Sequence, residues 1–182
     1  HRPMTDFTNR DALVVFTHGS SNMGGWQANN SFVTSDDLLP ASLPGCEMWG
    51  RFLDAVHRNS KSSGGPFDWE TMTSTQNAQL TGIAPPYLIA RRYWQRYFSP
   101  AAKASAVAAP KAVYFLNYIV SGGRCTQDTG NLAAGASFHP GSENVADTPG
   151  FEVSAEGYWT AGLQALENDS SVDRIFFDGF YW

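Results

Sequence analysis

Three apolar runs along the chain have the length and composition of buried β-strands. Residues 13–16 (LVVF) end in glycine and small polar residues, residues 112–120 (AVYFLNYIV) are rich in β-branched and aromatic side chains, and residues 172–177 carry a third run. Such short runs, bounded by turn residues, are typical of strands covered on both faces. We expect the strand at 112–120 to be central, with shorter strands at 70–75 and 151–153.

Other segments repeat their apolar residues at the spacing of an α-helix. Residues 87–98 follow two prolines, which favour the first turn of a helix, and place aromatic side chains three and four positions apart. A second helix is expected at 158–167. Residues 46–58 also predict a helix, because apolar side chains recur there at every fourth position. These positions are Met48, Phe52 and Val56.

The order of these elements predicts a single α+β domain over residues 1–182, with flanking helices and long loops. Strand and helix patterns alternate irregularly, and residues 24–44 and 121–150 contain long stretches without either pattern. No internal repeat and no shift in composition indicates a domain boundary. A chain of 182 residues is long enough to bury a core of its own.

Composition and charge exclude several classes of partner. The formal net charge is −5 and no cluster of Lys and Arg occurs, which argues against binding to a nucleic-acid backbone. No apolar run reaches the roughly 18 residues that a membrane-spanning helix needs. We therefore expect a monomer that acts on small molecules or on a protein partner.

The cysteines and the glycosylation sequons favour a secreted protein. Cys46 and Cys125 fit no metal-ligand spacing, and whether they form a disulfide is left open. Asn29 and Asn168 each begin an N-glycosylation sequon. Together with the high aromatic content, these features lead us to expect secretion.

His18 is the histidine whose position most suggests a site. It lies at the end of the first strand run, directly before Gly19, and a strand end that opens onto glycine allows a ligand to approach the backbone. The alternative is that His18 only caps the strand, by a hydrogen bond to a backbone carbonyl. Ser20 and Ser21 are not expected to be hydrolase nucleophiles, because the chain has no Gly-x-Ser-x-Gly elbow. No pair of histidines has the helical spacing of a zinc site, so we expect no metal.

Three segments, taken in order, resemble the site of a known family. "VVFTHGSS" ends the first strand, "ETMTSTQNAQL" follows as a second, polar strand, and "GFEVSAEGYW" comes before the last strand. In this order the sequence resembles the ADP-ribosyltransferase fold, particularly the secreted cholera/pertussis-type toxins and their fungal relatives. The resemblance extends by short patterns from about residue 12 to the last strand.

This resemblance implies a split mixed/antiparallel β-sheet and an enzyme that consumes NAD. Loss of nicotinamide from NAD develops positive charge on the ribose, as in glycoside hydrolysis, and a carboxylate stabilises that charge. The resemblance gives this catalytic role to Glu152, with Glu156 as a second choice. It also implies that the ring of Tyr87 or Tyr93 stacks on the nicotinamide. The residues that it implies for NAD binding are His18, Gly19, Ser74, Thr75 and Tyr87.

Two departures from the family pattern leave alternatives open. The toxin subgroup has arginine where this chain has His18, and transferases that modify proteins often have Glu or Gln where this chain has Gly150. The chain is therefore expected to hydrolyse NAD, to modify a host protein, or to be an inactive effector that binds one. A further alternative is a copper site of the histidine-brace type formed by His1 with His139.

Overall fold

A five-stranded sheet forms the centre of the protein. The computed structural model describes residues 7–19, 36, 39–49, 51–52, 59–60, 68–73, 85–119 and 155–181. The five strands are β1 (Asp11–Gly19), β2 (Ser42–Trp49), β5 (Trp69–Thr73), β6 (Ala112–Ile119) and β7 (Arg174–Tyr181). Their order across the sheet is β5-β2-β6-β1-β7.

The sheet is mixed, as predicted, but mainly parallel. β1 runs parallel to both β6 and β7, and β6 runs parallel to β2. Only β5, at one edge of the sheet, is antiparallel to its neighbour. A mixed sheet with a few helices supports the α+β class, and the strand predicted to be central, β6, does lie in the middle of the sheet.

Helices cover both faces of this sheet. α1 (Pro85–Tyr97) and the short α2 (Pro100–Ala104) precede β6, and α3 (Ala155–Glu167) precedes β7. The face under α1 is packed with side chains that include Leu13, Val15, Val113 and Phe115. The opposite face, under α3, contains Val14, Tyr114, Leu116 and Leu166. Because strand side chains alternate between faces, both faces of β1 and β6 are apolar, as their sequence predicts.

The helix predicted at residues 46–58 is wrong for residues 46–49 and 51–52, and the rest of that range lies outside the described residues. Residues 46–49 belong to β2, and a separate two-stranded pairing joins β3 (Arg51–Phe52) to β4 (Asn59–Ser60). Cys46 and Met48 face α1, whereas Trp49 faces α3. Pairing with β5 and β6 satisfies the backbone of this segment, and this tertiary contact outweighs the local four-residue spacing.

The other predicted elements agree with the structure in type where residues are described, but some bounds differ. The first and last strand runs form β1 and β7, and residues 70–73 lie in β5. β7 begins at Arg174 instead of residue 172 and continues to Tyr181, and residues 42–44, in a stretch where no element was predicted, begin β2. The helices predicted at 87–98 and 158–167 correspond to α1 and α3. The predicted strand at 151–153 and the loop at 121–150 lie outside the described residues.

Ion pairs join the strands at the amino ends of β1 and β7. Arg174 Nε and Nη2 donate to Asp11 Oδ1 and Oδ2 at 2.8 and 2.7 Å. Arg10 Nε donates to Asp173 Oδ2 at 2.6 Å, and Lys111 Nζ donates to Asp169 Oδ2 at 2.5 Å. The hydrogen bonds from Arg174 lower the pKa of the buried Asp11 carboxyl to about 2.

Candidate functional site

The carboxyl ends of β1 and β6 meet at one edge of the sheet. These strands are neighbours, with Thr17 aligned to Asn117 and His18 aligned to Tyr118. The chain continues from β1 to β2 on one side and from β6 to β7 on the other, so the two connections run in opposite directions. In open α/β sheets, ligands bind outside the carboxyl ends of the strands at such a switch point.

On the face under α1, the central strands change from apolar to polar as they approach this edge. Leu13 and Val15 of β1 belong to the apolar core, and the next residue on the same face is Thr17. On β6, Phe115 is followed in the same way by Asn117. Thr17 and Asn117 are both fully buried, and Thr17 Oγ1 donates a hydrogen bond to Asn117 Oδ1. This buried pair lies directly before the strand end at His18 and Gly19 and joins β1 to β6 there.

A carboxylate lies on the same face, on the neighbouring strand β7. Asp178 is aligned with Val15 of β1. Tyr93 of α1 donates its hydroxyl to Asp178 Oδ2 at 2.7 Å, and the backbone N–H of Gly179 donates to Asp178 Oδ1 at 2.8 Å. Burial, together with this hydrogen bond to a carboxylate, raises the pKa of Tyr93 well above its ordinary value. Tyr93 is therefore a hydrogen-bond donor throughout the physiological pH range.

The amino-terminal half of α3 lies over the carboxyl half of β1. Trp159 of α3 packs edge-to-face on Phe16 of β1, with ring centroids 5.8 Å apart. Just after the helix, Asp169 accepts a hydrogen bond from Lys111, which directly precedes β6. α3 therefore runs from the carboxyl edge of the parallel strands towards their amino edge, and its N-terminus lies at the carboxyl edge.

The predicted NAD-binding residues of β1 lie at this edge. His18 and Gly19 are the last two residues of β1, and the backbone of His18 is aligned with Tyr118 of β6 and Tyr181 of β7. The sequence prediction that the first strand brings these residues to its end is confirmed for the backbone.

The described part of the second predicted segment, in β5, ends at the opposite edge. Ser74 and Thr75 lie outside the described residues. The last residue of β5, Thr73, is aligned with Ser42, the first residue of β2. Because β2 is parallel to β1, β5 ends at the amino edge, away from His18.

The remaining predicted residues have different positions. Glu152 lies outside the described residues, three positions before the start of α3. Glu156 is the second residue of that helix. Tyr87 is fully buried among the core residues under α1, and its hydroxyl donates to the carbonyl oxygen of Pro40. Its ring has no exposed face on which nicotinamide could stack in this conformation.

The remaining predictions concern the cysteines, a metal site and a membrane-spanning helix. Cys46 is a free, buried thiol whose Sγ donates to the carbonyl oxygen of Ala90 at 3.5 Å, and burial raises its pKa. His1, His139 and Cys125 lie outside the described residues. Within the described ranges, no three His, Cys, Asp or Glu side chains are grouped so that they could hold a metal ion. None of the described helices is both long and apolar enough to cross a membrane.

Sequence reasoning missed two partly buried carboxylates. Glu47 of β2 accepts a hydrogen bond from Thr71 Oγ1 at 3.2 Å, and burial raises the pKa of Glu47. It was hidden by the wrong helix prediction. Asp178 interrupts the apolar run "IFFDGFY", and a charged residue in the middle of such a strand is the signal that would have found it.

Comparisons with protein-family models, with curated proteins and with solved structures found no match to this chain.

Proposed function

We propose that this protein binds NAD at the carboxyl edge of its parallel strands and cleaves the bond between nicotinamide and ribose, so that nicotinamide leaves and the ADP-ribose is transferred to water or to a protein side chain. The observation that carries the proposal is the switch point between β1 and β6, where the buried Thr17–Asn117 pair adjoins the strand end at His18 and Gly19. Dinucleotides bind across the crevice at such a point in many open sheets.

The position of α3 supports binding of the pyrophosphate. A helix N-terminus presents unpaired N–H groups and the positive end of the helix dipole, both of which favour a phosphate. The contact between Phe16 and Trp159 brings the first half of α3 to the carboxyl half of β1. The phosphates are therefore proposed to bind near the start of α3, with the nicotinamide end nearer to the strand end that follows Thr17, towards the face under α1.

The ADP-ribosyltransferase assignment and the catalytic role of Glu152 remain part of this proposal. Its support is the order of the three sequence segments and the direction of α3, which follows Glu152 in the chain. In this scheme the carboxylate stabilises the positive ribose in the transition state. Ser74 and Thr75 lie outside the described residues, so their roles stay predictions, and the proposal assigns no role to Tyr87 because its ring is buried.

The test combines calorimetric titration with NAD and a measurement of nicotinamide release. Thr17→Val keeps the shape of the side chain and removes the hydroxyl, and we expect weaker NAD binding. Glu152→Gln is expected to retain binding and to lose release by about 100-fold or more. Asp173→Asn, a change at the amino edge, serves as the control that leaves both unchanged. Absence of NAD binding by the native protein would refute the proposal.

An inactive effector that binds a host protein is the second candidate. Phe177 of the edge strand β7 is 58% exposed and stacks on Phe16 with ring centroids 6.0 Å apart. Exposed aromatic side chains are common at protein interfaces. NAD binding without nicotinamide release, together with capture of a host protein that Phe177→Ser abolishes, would favour this function.

A further inference from the structure

The described aspartates that form short polar contacts fall into two groups. Asp11, Asp169 and Asp173, at the amino edge, are each bonded to an Arg or Lys side chain. Asp178 instead accepts from two neutral donors, the hydroxyl of Tyr93 and the N–H of Gly179. Within the part of the chain that the structure describes, no cationic side chain forms an ion pair with it.

These two donors orient the Asp178 carboxylate without neutralising it. Each carboxylate oxygen accepts one of the two hydrogen bonds, which fixes the plane of the group. The negative charge faces the same side of the sheet as the Thr17–Asn117 pair, one strand away from Thr17. A fixed carboxylate with free lone pairs suits a ligand that carries a positive charge.

We propose that Asp178 binds the positively charged nicotinamide ring of NAD, so that the site prefers the oxidised, cationic dinucleotide over the neutral reduced one. This inference rests on the proposed function, and it adds a specificity-determining residue that the sequence segments do not contain. The charge that Asp178 interacts with is present in NAD⁺ and absent from NADH, whereas the rest of the ligand is shared.

The experiment compares the affinities of both dinucleotides by calorimetry. We expect the native protein to bind NAD⁺ about tenfold more tightly than NADH. Asp178→Asn is expected to remove this preference by weakening NAD⁺ alone. Tyr93→Phe keeps the charge of Asp178 and loses one hydrogen bond, so most of the preference is expected to remain. Asp173→Asn removes one negative charge at the amino edge and should leave the ratio unchanged, and circular dichroism checks that each variant is folded.

The outcomes separate the two proposals. If the native protein binds neither dinucleotide, the proposed function and this inference both fail. If it binds them but Asp178→Asn leaves the ratio unchanged, either with both affinities intact or with both weakened equally, Asp178 has only a structural role and this inference alone is overturned.

Discussion

The ion pair between Asp11 and Arg174 gives a stability prediction that can be worked out from the structure. It joins the first residues of β1 and β7, which are aligned neighbours in the sheet. The Asp11 side chain is fully buried, and the Arg174 side chain is 53% exposed. Asp11→Asn keeps the size of the side chain and removes the charge, so Arg174 loses its paired carboxylate.

The pKa of Asp11 sets the size of this pair's contribution to the free energy of unfolding and the direction in which that contribution changes with pH. The hydrogen bonds from Arg174 lower this pKa from 3.8 to about 2, and a shift of this size corresponds to roughly 2.5 kcal/mol before screening. Because Arg174 is half exposed, solvent reduces the contribution to about 1–2 kcal/mol. The pKa is lower in the folded state, so the contribution is complete above about pH 5 and is lost as the pH falls through 4 towards 2.

Urea denaturation followed by circular dichroism measures this contribution. At pH 7, Asp11→Asn is expected to lower the free energy of unfolding by about 1–2 kcal/mol, and about half of that difference should remain at pH 3. Asp173→Asn removes the carboxylate that pairs with Arg10. Because Asp173 is much more exposed than Asp11, this change is expected to have a smaller effect on the free energy of unfolding. A difference between the native protein and Asp11→Asn that is near zero at pH 7, or equal at pH 7 and pH 3, would refute the reasoning.

Three further predictions concern the core. Gly45 has a φ of +93°, and an added Cβ would lie 2.7 Å from the ring of Phe98. Gly45→Ala should therefore lower the free energy of unfolding by about 2 kcal/mol or more in the same urea titration. Gly179→Ala is the control and should be nearly neutral, because no atom lies within 4 Å of the added Cβ. Leu116→Ala empties a fully buried position and is expected to cost about 3 kcal/mol by denaturation; a loss below 1 kcal/mol would contradict its packing under α3. The buried thiol of Cys46 should resist Ellman's reagent in the native protein and react once urea unfolds it; rapid labelling of both cysteines of the native chain would contradict its burial.

Part of the candidate site was predictable from the sequence. The run ending in His18 and Gly19 indicated a buried strand with a functional end, because apolar composition and a terminal glycine are local signals. The polar second strand was also recognised. The direction of β5 was not predictable, since it depends on which neighbour the strand pairs with, and that direction carries Thr73 to the edge opposite to His18.

The error at residues 46–58 shows the limit of local patterns. Met48 and Phe52 are four positions apart, which fits a helix, but Cys46 and Met48 also fit alternate positions of a strand. A short apolar segment satisfies both periods. Pairing with β5 on one side and β6 on the other decided in favour of the strand.

The sequence by itself determined where most strands and helices form, because the apolar runs of β1 and β6 and the aromatic spacing of α1 act over a few neighbouring residues. The tertiary structure alone decided which polar groups meet. Thr17 and Asn117 are 100 positions apart, and Tyr93 and Asp178 are 85 apart. The local spacing of apolar and polar residues does not predict such pairs, because they form only when strand order and register bring separate elements onto one face of the sheet.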